Sequence, residues 1–150
     1  MTQFCGAHRV PRAGVDVIDA AEPALAVVRL AMAQPLVAET VALILDGDRR
    51  GRSIVVVDGT VEPDAVVAVV ERLAESVAAS GEPGALVVAT VRPCAALLPD
   101  DADRWTKVGE IADLVGVDLL EWFVIGRHEG GPVTVWCPRD LLAEPQRWTG

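Results

Sequence analysis

The chain has 150 residues and a formal net charge of −9, and half of its residues are hydrophobic, chiefly Val, Ala and Leu. That length fits one domain with a sizeable core, and the apolar weight points to strands buried on both faces. The acidic balance excludes a bulk-electrostatic nucleic-acid binder, since the basic residues cluster only at Arg49, Arg50 and Arg52, in an expected turn. No apolar run reaches the length of a membrane span, and residues 1–14 lack the apolar stretch of a secretion signal. The three cysteines, Cys5, Cys94 and Cys137, are odd in number and far apart, which argues for a reducing cytoplasm and against a disulfide framework.

Residues 1–18 read as an N-terminal arm or an edge strand over Val15–Ile18. Asp19 is placed to cap a helix over about Ala20 to Gln34, with Pro23 in its first turn and Leu25, Val28 and Met32 on one face. Glu39 to Asp46 and Ser53 to Asp58 form a predicted hairpin around Gly47–Gly51. Pro63 opens a helix over about Asp64 to Ser80, with Val66, Val70, Leu73 and Val77 on its inner face. Ala85 to Ala89 is a short continuous apolar run, the mark of a central strand. Asp100 or Asp101 then caps a helix to about Val115, whose stripe is Trp105, Val108, Ile111, Ala112 and Val115. Val117 to Ile125 is a long strand, and Pro132 to Cys137 is an edge strand where proline is tolerated. Residues 19–137 thus form one predicted α/β domain in the order α-β-β-α-β-α-β-β, with a mixed sheet carrying helices on its faces, and 138–150 form a short helix or tail.

The junction after the central strand, Thr90-Val91-Arg92-Pro93-Cys94 through Pro99-Asp100-Asp101-Ala102-Asp103, is the place where α/β proteins build sites. A zinc site there wants imidazoles at the strand end and a carboxylate in the next helix. The helix supplies Asp103 and the hairpin supplies Glu39, but the strand end offers Thr90, a poor ligand, and Arg92, a permanent cation.

On these residues, about Glu39 to Gly126 resembles the RadC-like JAB/JAMM domain. Glu39 stands at the family's general base, Gly59-Thr60 at its Gly-Thr, and Pro93 and Pro99 at its prolines. Thr90 and Arg92 fall on the two zinc histidines, Cys94 on the first serine, Asp100 on the serine that assists the reacting carbonyl, and Asp103 on the aspartate ligand. Glu121-Trp122 fall on the Asp-His of a later strand. The resemblance implies a cytidine-deaminase-like, three-layer α/β/α fold. It also implies that zinc-water activation is lost, because one surviving carboxylate does not hold Zn²⁺.

The pocket of Glu39, Thr90, Arg92, Cys94, Asp100, Asp103, Glu121 and Trp122 is therefore expected to be a relic with no catalytic residue, metal or cofactor. Arg92 is expected to pair with Asp103, Glu39 or both, and Trp122 to fill space once open to substrate or metal. The expected role is that of a cytoplasmic, non-catalytic interaction or scaffold domain that associates with itself or another protein, with no nucleic-acid or membrane partner. The competing reading is a hydrolase that reuses the pocket through Asp100, Asp103 and Glu39 with Mg²⁺, or through Cys94. Cys5 and His8 have the spacing of half a metal site without a second pair. Trp148 is a candidate for a subunit contact.

Overall fold

The structure, a computed structural model, describes residues 10–148. Its elements run α1 (Ala21–Ala31), β1 (Glu39–Asp46), β2 (Gly51–Asp58), α2 (Ala65–Ala79), β3 (Gly84–Val91), α3 (Asp101–Leu114), β4 (Asp118–Gly126) and β5 (Thr134–Trp136), followed by a 3-10 turn at Pro138–Leu142. The strands form a five-stranded mixed sheet in the order β2-β1-β3-β4-β5. Only β3 and β4 run parallel; the other neighbouring pairs are antiparallel. The protein is an α/β fold with an open mixed sheet and three helices, none of them long and apolar enough to cross a membrane.

The central strand β3 is buried at every position, as a continuous apolar run requires when both faces are covered. Val41, Leu43, Val87 and Ala89 face α1, together with Phe123 and Ile125 of β4. Ala42, Leu86, Val88, Trp122 and Val124 face α2 and α3, whose Val66, Val70, Trp105 and Val108 complete the second layer of core. A bulge between Leu86 and Val87 of β3, opposite Leu119–Glu121 of β4, inserts Leu120 and sets the parity of the rest of β4.

Three local readings are decided here. Asp19 is exposed and Ala20 is the N-cap of α1, with no side-chain cap bond, so burial of Ala24, Leu25 and Val28 holds this helix. Val115 is 39% exposed and lies beyond α3, because the inner stripe ends at Ala112 and the helix at Leu114. The segment before α1 makes one bridge, Val17 with Arg50, rather than a strand, and buries Ile18 in the core.

Close backbone approach at Gly126 fixes the position of the loop after β3. A Cβ there would overlap the Ala95 carbonyl oxygen and lie 2.9 Å from that of Arg92. The next residue, Arg127, donates its N–H to the same Ala95 carbonyl at 2.9 Å. Gly126→Ala is expected to destabilise the protein by about 2 kcal/mol, because the obstacle is backbone and cannot rotate away. A urea midpoint equal to wild type would show that the loop is not seated this tightly.

Candidate functional site at the end of the central strand

β3 delivers Thr90 and, just beyond its end, Arg92 to the face that carries α2 and α3. Thr90 is buried, and its Oγ1 accepts the indole N–H of Trp122 at 2.9 Å. The hydroxyls of Thr40 on the neighbouring strand β1 and of Thr60, just past β2, lie 2.9 Å apart. Arg92 is anchored through its backbone, which donates to the Ile125 carbonyl at 2.8 Å. Its guanidinium makes a two-pronged pair with Asp101, Nη1 to Oδ2 at 2.7 Å and Nη2 to Oδ1 at 2.9 Å. Nη1 also donates to the Ala96 carbonyl at 3.1 Å.

Asp101 is fully buried and serves several donors. Its Oδ2 accepts the Leu98 N–H at 2.7 Å, and its Oδ1 accepts Nη1 of Arg104 at 2.9 Å. Arg104 continues the chain of charges, donating Nε to Asp64 at the start of α2 at 2.8 Å. One network thus ties the β3 end, the following loop, α3 and α2. Burial pushes the Asp101 carboxyl up, but the Arg92 hydrogen bond and charge, the Leu98 N–H and Arg104 outweigh it and hold the group below the ordinary aspartate range.

The structure brings together only part of the pocket read from the sequence. Arg92 is paired, but with Asp101 and not with Asp103 or Glu39. Asp103 is exposed, because α3 turns inward at positions 101, 105, 108 and 112. Glu39 is buried on the other side of the sheet. It opposes Val91, one residue out of phase with Thr90 and Arg92, and its Oε2 accepts the Ala33 N–H just past α1 at 2.8 Å. Alternation along a strand makes a contact between Glu39 and Arg92 impossible from opposite faces. Asp100 and Cys94 are exposed on the loop, and Asp100 makes no side-chain cap for α3.

Glu121 and Trp122 likewise point to opposite faces. Trp122 is buried in the α2/α3 layer. Glu121 is buried near the α1 layer, where Nε of Arg139 donates to both of its carboxylate oxygens at 3.0 and 3.1 Å. Burial raises the Glu121 carboxyl despite its hydrogen bond with Cys137 and the nearby Arg139. Burial, and then the Glu121 charge, pushes the Cys137 thiol well above its ordinary value, so that sulfur is a structural thiol.

Arg104, Arg139 and Glu144 were not singled out from the sequence, and Asp101 was read only as a candidate cap of α3. The signal for Asp101 was present: it lies four residues before Trp105 on the same buried stripe. Glu144 accepts the Trp105 indole N–H at 2.7 Å, and the Arg147 guanidinium lies 4.4 Å from the centre of the same ring, so the C-terminal tail is pinned across α3. Trp148 is half-buried against the α1-side core. His128 stands edge-on to Trp136, with ring centres 5.4 Å apart. Cys5 and His8 lie outside the described residues.

A cleft of about 210 Å³ remains beside the network, lined by Thr60, Val61, Thr90, Arg92, Cys94 and Leu98 among others. Its walls are mostly apolar; Glu62 and Arg92 are its charged residues, and Arg92 is already paired with Asp101. Among the described residues no three His, Cys, Asp or Glu side chains gather as a metal-holding group. Comparison with protein-family models, with curated proteins and with solved structures gives no match for this chain.

Proposed function

We propose that this chain is a zinc-free relative of the RadC-like JAB/JAMM domains, with a cytidine-deaminase-like arrangement of its three layers, and that it serves as a cytoplasmic protein-interaction module and not as a hydrolase. One observation carries this reading. At the strand end where the resemblance puts the zinc histidines, Arg92 places a fixed positive charge and Asp101 neutralises it at 2.7 and 2.9 Å. A guanidinium cannot release a proton to become a ligand, and a metal ion beside it would meet a like charge. The Thr90–Trp122 hydrogen bond supports the same reading, because it uses the second of those strand-end positions for packing.

The expected metal content of protein purified without chelators is substoichiometric for zinc, measured by elemental mass spectrometry. Zinc at one per chain would sink the reading. Stoichiometric Mg²⁺ or Mn²⁺ that disappears on Asp103→Asn would instead favour the hydrolase alternative.

A further inference from the structure

β2 is an edge strand, and its outer edge is poorly protected. Residues 14–18 cover only its beginning, through Gly14 N–H to the Gly51 carbonyl at 2.9 Å and Ile18 N–H to that of Arg49 at 2.7 Å. Among the described residues nothing pairs with the rest, Ser53 to Asp58, along that edge, although Val10 and Pro11 stand across a cleft from Ser53 and Ile54. Ile54 is 46% and Val56 42% exposed, and Leu30 of α1 stands 70% exposed on the same side of the sheet. Monomeric proteins usually blunt such an edge with lysine, proline or a central bulge. Here Ile54-Val55-Val56-Val57 carries none of these, and the register shift lies before it, opposite Ile44 and Leu45.

The backbone of this edge is ready to pair. Gly59 donates its N–H to the Ala38 carbonyl at 2.9 Å, and Glu39 opposes Asp58. Alternation then turns the N–H and C=O of Val55 and Val57 toward β1, and those of Ile54 and Val56 outward. On the α1 side of the sheet the side chains are complementary about Val55, while Ser53 comes opposite Val57 on the other side. In an antiparallel pair of two β2 strands centred there, Ile54 meets Val56 of the other copy, and Arg52, the extra residue of the bulge in β2, comes opposite Asp58. Neither Arg52 nor Asp58 has an ion pair or side-chain hydrogen bond among the described residues. Moving the centre to Val56 would set Asp58 against Ile54 and leave Arg52 without a carboxylate.

We propose that two copies of this chain associate through β2, antiparallel about a two-fold axis at Val55, joining two five-stranded sheets into one. The occupant is a second copy, because the pattern of charge and apolar residues is complementary to itself. The proposal deepens the interaction reading and rests on it, but its test is separate from metal content.

The full chain is expected to sediment at twice its 15.8 kDa mass. Arg52→Asp sets aspartate against Asp58 and is expected to weaken the dimer by at least about tenfold, with Arg52→Asp/Asp58→Arg restoring it. With Cys5 and Cys94 replaced by serine, Val55→Cys is expected to form a disulfide-linked dimer under mild oxidation, because facing residues at a non-hydrogen-bonded site lie about 4.5 Å apart between Cα atoms. Ile54→Cys in the same background is expected not to. A wild-type monomer at high micromolar concentration, a dimer indifferent to Arg52→Asp, or cross-linking through Ile54→Cys instead of Val55→Cys would overturn the proposal. A metal-free monomer would leave the zinc-free reading standing, and a zinc-loaded β2 dimer would do the reverse.

Discussion

Arg92→Ala is expected to lower the unfolding free energy by about 3 kcal/mol, the low end of what breaking a buried ion pair costs, because Arg104 and the Leu98 N–H still serve Asp101. Asp101→Ala is expected to cost more, about 4–5 kcal/mol, since it leaves Arg92 and Arg104 facing each other without a carboxylate. Asp103→Ala is expected to stay within about 0.5 kcal/mol of wild type, as an exposed side chain outside the network. Urea denaturation of the three variants decides the matter, and a larger effect at Asp103 than at Asp101 would refute the assignment. The pair also predicts an acid response. The Asp101 carboxyl is held below its ordinary value, so its ionised form favours the folded state. Its contribution is complete above the unfolded carboxyl's pKa of about 3.9, and it is lost as pH falls through the lower native value. Asp101→Asn should therefore flatten the fall in the urea midpoint on acidification below about pH 4.

Trp122→Ala is expected to cost about 3–5 kcal/mol, because a large, fully buried side chain is lost from a layer that cannot fully close. Part of that cost belongs to Thr90, whose hydroxyl is buried and would lose its indole partner. A double-mutant cycle between Trp122→Phe and Thr90→Val separates the two contributions, with an expected coupling of about 1 kcal/mol. No coupling would mean that the tryptophan acts through volume alone. If Trp122 has taken over space once used by a ligand, Trp122→Ala should also enlarge the cleft beside Thr90, detectable as binding of a small apolar probe by the variant and not by wild type.

Much of the fold was legible along the chain. Val70, Val77, Trp105 and Val108 recur at helical spacing and are buried as that spacing predicts, and the unbroken apolar run after Gly84 is the strand covered on both faces. The hairpin followed from the same reasoning, with β1 bounded by Glu39 and Asp46. The start of α1 was misread because Asp19 has the right chemistry for a cap but is not in position to use it. At the candidate site, the sequence identified the cation and named the wrong anion. Asp101 shares the helical stripe of Trp105 and Asp103 does not, and the rotation of α3 against the sheet turns that stripe inward.

What the sequence determined by itself was periodic: which residues can share a face of a strand or helix, Thr90 and Arg92 among them. The tertiary structure decided which faces meet. Glu39 falls one position out of phase with Thr90 and Arg92 and is carried to the α1 side, while Asp101 is turned inward by a helix whose burial is set by Trp105 and Val108. A difference of one residue along a strand reverses the direction of a side chain, and a difference of two along a helix turns it by about 200°. Strand register and helix orientation are fixed by packing across the whole sheet, so they chose Asp101 over Glu39 and Asp103 as the partner of Arg92.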